Sequence, residues 1–189
     1  LSLNSLKSFT SSRKSNKLTQ MNKKERTLVL VKPDGVQRGL IGEVTGRFEK
    51  IGLKLIGIKM TVPVKDQVAK HYAKMSGPVL EHLKNFMSSG PVVAMVWEGA
   101  HAIGIVRKLI GSTEPLSSDV GTIRGDYTID SYKLADADGR AVRNIVHASG
   151  NEEEAEAEVL LWFKKEELIN YRLIQEAVLY DVNLDGILE

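Results

Sequence analysis

Val92 to Trp97 (VVAMVW) is the longest uninterrupted apolar run in the chain, and it limits the possible folds more than any other segment. At six residues it falls far short of the roughly 18 that a membrane span requires. Its β-branched content suits a strand buried on both faces. Such a strand needs neighbours in a sheet and covering elements, so the question becomes how the rest of the chain supplies them. Thr27 to Val31 (TLVLV) is a second short apolar strand, followed by Pro33-Asp34-Gly35, a turn signal. Leu53 to Val62 (LKLIGIKMTV) alternates as a half-buried strand does, and Ile145-Val146 predicts a brief fourth strand leading to His147. Between these lie segments of helical spacing: Gly42 to Ile51, Val64 to Lys74, Pro78 to Met87 with proline at its first position, Ala102 to Ile110, and Glu153 to Phe163. Ser112 to Arg143 shows no periodicity and reads as a long irregular stretch. The order β-α-β-α-α-β-α-loop-β-α reduces to βαββαβ. That is an α+β ferredoxin-like sandwich, with a four-stranded antiparallel sheet and helices packed on one face.

Composition removes whole classes of chemistry. There is no cysteine, which excludes disulfides, zinc-thiolate sites and a Cys nucleophile. The net charge of +2 is unevenly placed. Leu1 to Gln20 holds Lys7, Arg13, Lys14 and Lys17 and no acid, leaving 22 basic against 24 acidic side chains in the remainder. The main part is therefore near neutral, and a broad nucleic-acid surface is not indicated. Residues 1–20 are Ser- and Lys-rich without periodicity. They read as a disordered extension, either upstream of a true start at Met21 or a tail of the protein itself. Their acid-poor, Ser-rich composition also fits a transit peptide. The expected domain is 21–189.

Three segments bring together residues suited to phosphate chemistry. Lys32 to Gly39 (KPDGVQRG) follows a strand and offers an ammonium and loop N–H groups; a phosphate cradle and a charged, solvated turn both fit it. Gly121 to Asp126 (GTIRGD) sets Arg124 between glycines in the long loop, where its guanidinium suits bidentate phosphate contact, and Arg107 can join it. Arg143 to Ser149 (RNIVHAS) places His147 at a strand end, with Glu158 on the following helix. A carboxylate accepting one imidazole N–H would fix the tautomer and leave the other nitrogen nucleophilic. A His flanked by apolar residues is also common as a satisfied core residue. His71, His82 and His101 lack metal-ligand spacing and read as ordinary surface or boundary histidines. No P-loop, protein-kinase signature or G-x-S-x-G elbow occurs. The Glu152 to Glu154 cluster suits a helix start rather than a metal cage.

KPDGVQRG, SGPVVAMVWEG (Ser89 to Gly99), GTIRGD and NIVHAS (Asn144 to Ser149) together resemble, in content and order, the signature segments of nucleoside diphosphate kinases. The resemblance runs from about Arg26 to Tyr180. It implies a ping-pong transfer of the γ-phosphoryl group of a nucleoside triphosphate, typically ATP, to nucleoside diphosphates through a phosphohistidine at His147. It further implies that Lys32, Arg107, Thr113 and Arg124 hold phosphates and that Tyr72 and Asn144 assist around the γ-phosphate and ribose. Val79 and Leu83 would clamp the base, and Ser149 and Glu158 would support His147. Mg²⁺ would be held by nucleotide phosphates, not by protein side chains. Also implied are a homo-oligomer (hexamer or tetramer), a cytoplasmic location, and no nucleic-acid or membrane partner.

The sequence departs from the family pattern in places. Val79 stands where members usually carry phenylalanine, so base stacking is weaker or supplied otherwise. About ten extra residues lie around Ser131 to Arg140 (SYKLADADGR), resembling an insertion in archaeal members, with Asp138-Gly139 as a surface turn. Ala148 replaces a glycine, and Gly150-Asn151 replaces Asp-Ser. An RNA-recognition module would carry alternate aromatics on its strands, whereas here only Trp97 is aromatic among them. A catalytically silent relative would have no chemical need to keep His147, Lys32, Arg107 and Arg124 together.

Overall fold

A computed structural model describes residues 24–180, so the expectations for residues 1–20 fall outside the described part. Four strands form one sheet: β1 (Glu25–Val31), β2 (Lys54–Thr61), β3 (Val92–Gly99) and β4 (Val146–Ala148). Their spatial order is β2-β3-β1-β4, and every neighbouring pair is antiparallel. The helices are α1 (Pro33–Gln37), α2 (Ile41–Lys50), α3 (Lys65–His71), α4 (Gly77–Met87), α5 (Ala102–Ile110), α6 (Ile123–Tyr127), α7 (Tyr132–Ala137), α8 (Glu152–Trp162) and α9 (Glu176–Leu179). Among the described residues, no helix is long and apolar enough to cross a membrane.

The central strands explain why helices cover both faces of the sheet and not one, as the reduced pattern suggested. Side chains alternate across a strand. Val29 and Val31 of β1 and Val93, Met95 and Trp97 of β3 therefore share one face, against Val44 and Phe48 of α2 and Val106 and Ile110 of α5. Phe48 tilts onto Trp97 with ring centroids 5.3 Å apart. The intervening residues, Leu28, Leu30, Val92, Ala94 and Val96, meet Val68 of α3, Met87 of α4 and Val159 and Trp162 of α8. Each large apolar side chain so buried contributes roughly 1.5–3 kcal/mol.

Ser112 to Arg143, expected to be irregular, contains α6, α7 and a 3₁₀ turn at Pro115–Ser117. Both helices start at hydroxyl caps: Thr122 accepts from the Gly125 N–H, and Ser131 from the Leu134 N–H. These helices are too short to leave a periodic signal. Likewise Pro33-Asp34-Gly35 is not a free turn but the first turn of α1, with Pro33 at the position where its missing N–H costs nothing. Gly139 takes φ +59°, consistent with the expected turn at Asp138-Gly139.

Candidate active site

Alternation along β4 decides where His147 points. Val146 and Ala148 join the α2/α5 core, so His147, paired opposite Leu30, projects to the side covered by α3 and α8. There Glu158 of α8 lies 3.1 and 3.2 Å from His147 Nε2 through its two oxygens. Glu158 also accepts from Ser149 Oγ at 2.6 Å, and that oxygen accepts from the Leu28 N–H at 3.2 Å. The carboxylate thus places the proton on Nε2 and leaves Nδ1 as the nitrogen with a lone pair. Burial, then Lys32, Arg124 and Arg107, pushes the His147 pKa down to about 3, so the ring is neutral at physiological pH. Burial holds Glu158 above the ordinary carboxylate range.

Lys32 sits where β1 ends and α1 begins. Its backbone N–H bonds to Ile145 O at 2.8 Å and its Nζ donates to Asn144 Oδ1 at 2.7 Å. Asp34 ties the same turn by accepting from the Ile145 N–H at 3.1 Å. A Cβ on Gly35 would stand 2.8 Å from Ile145 O, so only glycine allows α1 to approach β4 this closely. Ile145 itself adopts φ +54°, a conformation a β-branched residue takes only when its surroundings impose it. Burial first, and then Arg124, lowers the Lys32 pKa to about 7 against the opposing pull of Asp34.

Arg124 donates through one terminal nitrogen to Gly111 O and Ser112 O at 3.0 and 2.9 Å, and through the other to Val146 O at 2.7 Å. The loop arginine therefore has a packing reason after all: it holds the α5–α6 connection against β4. Its Nε remains buried without a partner, as does Tyr72 Oη. Orphaned buried polar atoms at one place call for a polar ligand. Asn144 Nδ2 donates to Thr113 O at 2.7 Å, which brings the 113 segment beside Lys32.

Lys32, Tyr72, Arg107, Thr113, Arg124 and Asn144 line one cavity of about 540 Å³ with His147 and Glu158, and Val79 and Leu83 of α4 stand at its side. Of the expected site residues only Ser149 is not in its wall, being fully buried behind Glu158. Larger hollows of about 690 and 660 Å³ lie elsewhere and gather no comparable set of unpaired polar groups.

His71 corrects the sequence reading. It is not a surface histidine: its side chain is fully buried, edge-on to His147 with centroids 4.4 Å apart. Trp162 Nε1 donates to its Nδ1 at 3.2 Å, so that nitrogen has no proton for Glu158, which lies 3.7 Å away. Burial and then His147 lower its pKa to about 3, which makes the Glu158 contact one with a neutral ring. Tyr132, from the insertion, also lines the cavity. No local signal marks His71, because its role depends on Trp162, 91 positions away.

His71, His147 and Glu158 place ligand-type atoms within 4.8 Å of one another, as a metal site would. A cation there would face Lys32, Arg124 and Arg107 and would compete with the proton that His147 Nε2 shares with Glu158, so the set does not fit a resident ion.

Residues 25–168 match the family model described as nucleoside diphosphate kinase. The chain is 51% identical over 160 residues to the chloroplastic nucleoside diphosphate kinase 4 of Spinacia oleracea, an alignment covering 84% of this chain and 64% of that protein. It thus spans less than two thirds of that relative's length. With the nucleoside diphosphate kinase of Carboxydothermus hydrogenoformans it shares 46% identity over 158 residues, covering 83% of this chain and 99% of that one. A structure described as a transition state mimic of the Borrelia burgdorferi enzyme with bound vanadate and ADP superimposes with a TM-score of 0.80. The two are 42% identical, with 82% of this chain and 96% of that one covered. An NDP kinase from Pyrobaculum aerophilum gives a TM-score of 0.74 at 38% identity, covering 78% and 100%. The strand order, the site and these matches agree: the chain belongs to the nucleoside diphosphate kinase family.

Proposed function

We propose that the protein transfers the γ-phosphoryl group of a nucleoside triphosphate, typically ATP, to nucleoside diphosphates by a ping-pong mechanism through His147. The observation that carries this reading is the tie from His147 Nε2 to Glu158 and Ser149, where burial and the neighbouring cations keep the ring neutral. Nδ1 attacks the γ-phosphorus, and the bond to the bridging oxygen breaks with its electron pair leaving on the diphosphate. A second diphosphate then attacks the phosphohistidine through a terminal oxygen, and the P–N electron pair returns to Nδ1. One cavity serves donor and acceptor in turn, which avoids seating two polyanions at once.

Lys32, Arg124, Arg107 and Thr113 would hold the phosphates. Lys32, with a pKa near 7 in the free protein, takes full charge when a polyanion arrives. Tyr72 Oη, buried without a partner, would donate near the transferred group, and Asn144, which already fixes Lys32, would assist at the ribose. Val79 and Leu83 form an apolar edge with no hydrogen-bonding demand, which suits indifference to base identity. The wall suits Mg²⁺ that enters with the nucleotide: it is basic, and its carboxylates are engaged, Glu158 by Ser149 and His147, Glu154 by Lys74 and Gly150. Bound to the phosphates, Mg²⁺ would neutralise charge developing on them.

Residues 21–189 would form the catalytic domain of a homo-oligomer, hexamer or tetramer. A cytoplasmic location is the simplest reading. The organelle names of the spinach relative and of an Arabidopsis thaliana relative, with the acid-poor stretch 1–20, favour a targeting role for that stretch as the second reading. The test of function is intact mass after brief exposure to Mg-ATP and then excess GDP. One acid-labile phosphoryl group on His147, discharged by GDP, is expected. A folded, ATP-binding sample that gains none refutes the mechanism.

A further inference from the structure

The insertion brings an aromatic side chain into the cavity, and packing does not account for it. Both ends of the insertion are fastened at Asp130, whose carboxylate takes two hydrogen bonds from Arg140 at 2.6 and 3.0 Å and one from the Arg143 N–H at 2.7 Å. The Asp130 carbonyl accepts from the Leu116 N–H at 3.1 Å, which joins the insertion to the segment after α5. Ser131 caps α7, and Tyr132 is its first residue. Only Ala135 of α7 is buried; Tyr132 is 46% exposed. An aromatic ring placed for core packing would not stay half in water.

Its position along the cavity follows from a chain of contacts. Lys32 binds Asn144, Asn144 binds the Thr113 carbonyl, and the Glu114 carboxylate accepts from the Tyr132 N–H at 2.8 Å. Tyr132 is thus tied to the Thr113–Glu114 segment, in the same wall as Arg107 and Arg124. Among the described residues its backbone N–H has a partner and its hydroxyl has none.

We propose that the Tyr132 hydroxyl donates a hydrogen bond to a non-transferred phosphate of the bound nucleotide, which makes the insertion a working part of the nucleotide site. The proposal rests on the phosphotransfer reading above. A triphosphate seated with its γ-phosphorus at His147 leaves its other phosphates to the basic part of the wall, Arg107 and Arg124, which Tyr132 shares.

Calorimetric titration of the full-length chain with Mg-ADP tests the idea in the wild type, Tyr132→Phe and Tyr132→Ala. One hydrogen bond to a charged acceptor should weaken ADP binding about fivefold or more in both variants, by similar factors. Unchanged thermal midpoints would be expected alongside, since the ring is half exposed. Tyr132→Phe binding as the wild type does overturns the proposal, whether Tyr132→Ala is weakened, which would leave a ring contact only, or not. Phosphorylation of wild-type His147 by Mg-ATP, followed in the same preparations, separates this outcome from failure of the parent reading.

Discussion

Ser149→Ala isolates the tie behind the nucleophile. Ser149 is fully buried and makes two side-chain hydrogen bonds: it donates to Glu158 Oε2 at 2.6 Å and accepts from the Leu28 N–H at 3.2 Å. The first has a carboxylate acceptor and contributes roughly 1.5–3 kcal/mol. Losing the second strands a buried N–H in the central strand, a penalty of about 1–3 kcal/mol. The two share one oxygen and are not additive, so the expected loss is about 2–4 kcal/mol in unfolding free energy, measured by urea titration. A second effect separates this from plain destabilisation. Burial already raises the Glu158 pKa, and the Ser149 hydrogen bond opposes that rise. Without it Glu158 protonates at higher pH and releases the His147 Nε2–H. The acid limb of the rate of His147 phosphorylation, followed by rapid quench, should therefore move to higher pH. A variant within 0.5 kcal/mol of the wild type, roughly the size of a surface substitution, and with an unmoved acid limb would refute the assignment of Ser149 as the support of Glu158.

Two more outcomes follow from the same geometry. His71 and His147 are held neutral with pKa values near 3 against about 6.5 for an unfolded chain, so the unfolded state takes up protons first as pH falls. Their stabilisation is complete above about pH 6.5 and is lost toward pH 3; from pH 7 to 5 the loss reaches up to about 2 kcal/mol per histidine, partly offset by Glu158, and unfolding free energies independent of pH over that range would refute it. Arg124→Lys should cost about 2–4 kcal/mol of stability as well as ADP affinity, because one ammonium cannot serve Gly111, Ser112 and Val146 with the reach of a guanidinium; weakened ADP binding at unchanged stability would show that the three carbonyl contacts matter little.

The strands were legible because burial on two faces or one leaves a direct trace in residue type, as in Val92 to Trp97 and Leu53 to Val62. The short helices α6 and α7 left no such trace. Five or six residues complete too little of a period, and only the caps Thr122 and Ser131 announce them. The second helical layer was implied by a strand apolar on both sides, although the reduced βαββαβ pattern mentions one. Lys32, Arg124, His147 and Glu158 were readable as chemistry in unusual places, and the family resemblance supplied Thr113. His71 was not readable, since its environment comes from α8 and β4 folding over it. Tyr132 stayed hidden for a related reason: the contact between Glu114 and its backbone bridges 18 positions that no periodic pattern connects.

The turn at Ile145 has a mechanical consequence. Lys32 and His147 are 115 positions apart in the chain, yet the strained Ile145, two residues before His147, is bonded at both its N–H and its carbonyl to the segment carrying Lys32. The phosphate end of the cavity is therefore the stiff end-grain of the sheet, moving as one piece with β1, of which five consecutive residues are buried. The opposite wall is seated far more lightly. α4, which carries Val79 and Leu83, buries Met87 alone. A vessel with one fixed wall and one yielding wall takes up variation in its contents on the yielding side. Differences between purine and pyrimidine would then be taken up at α4, while the bonds that tie Ile145 to the Lys32 segment would keep the phosphate end in register with His147.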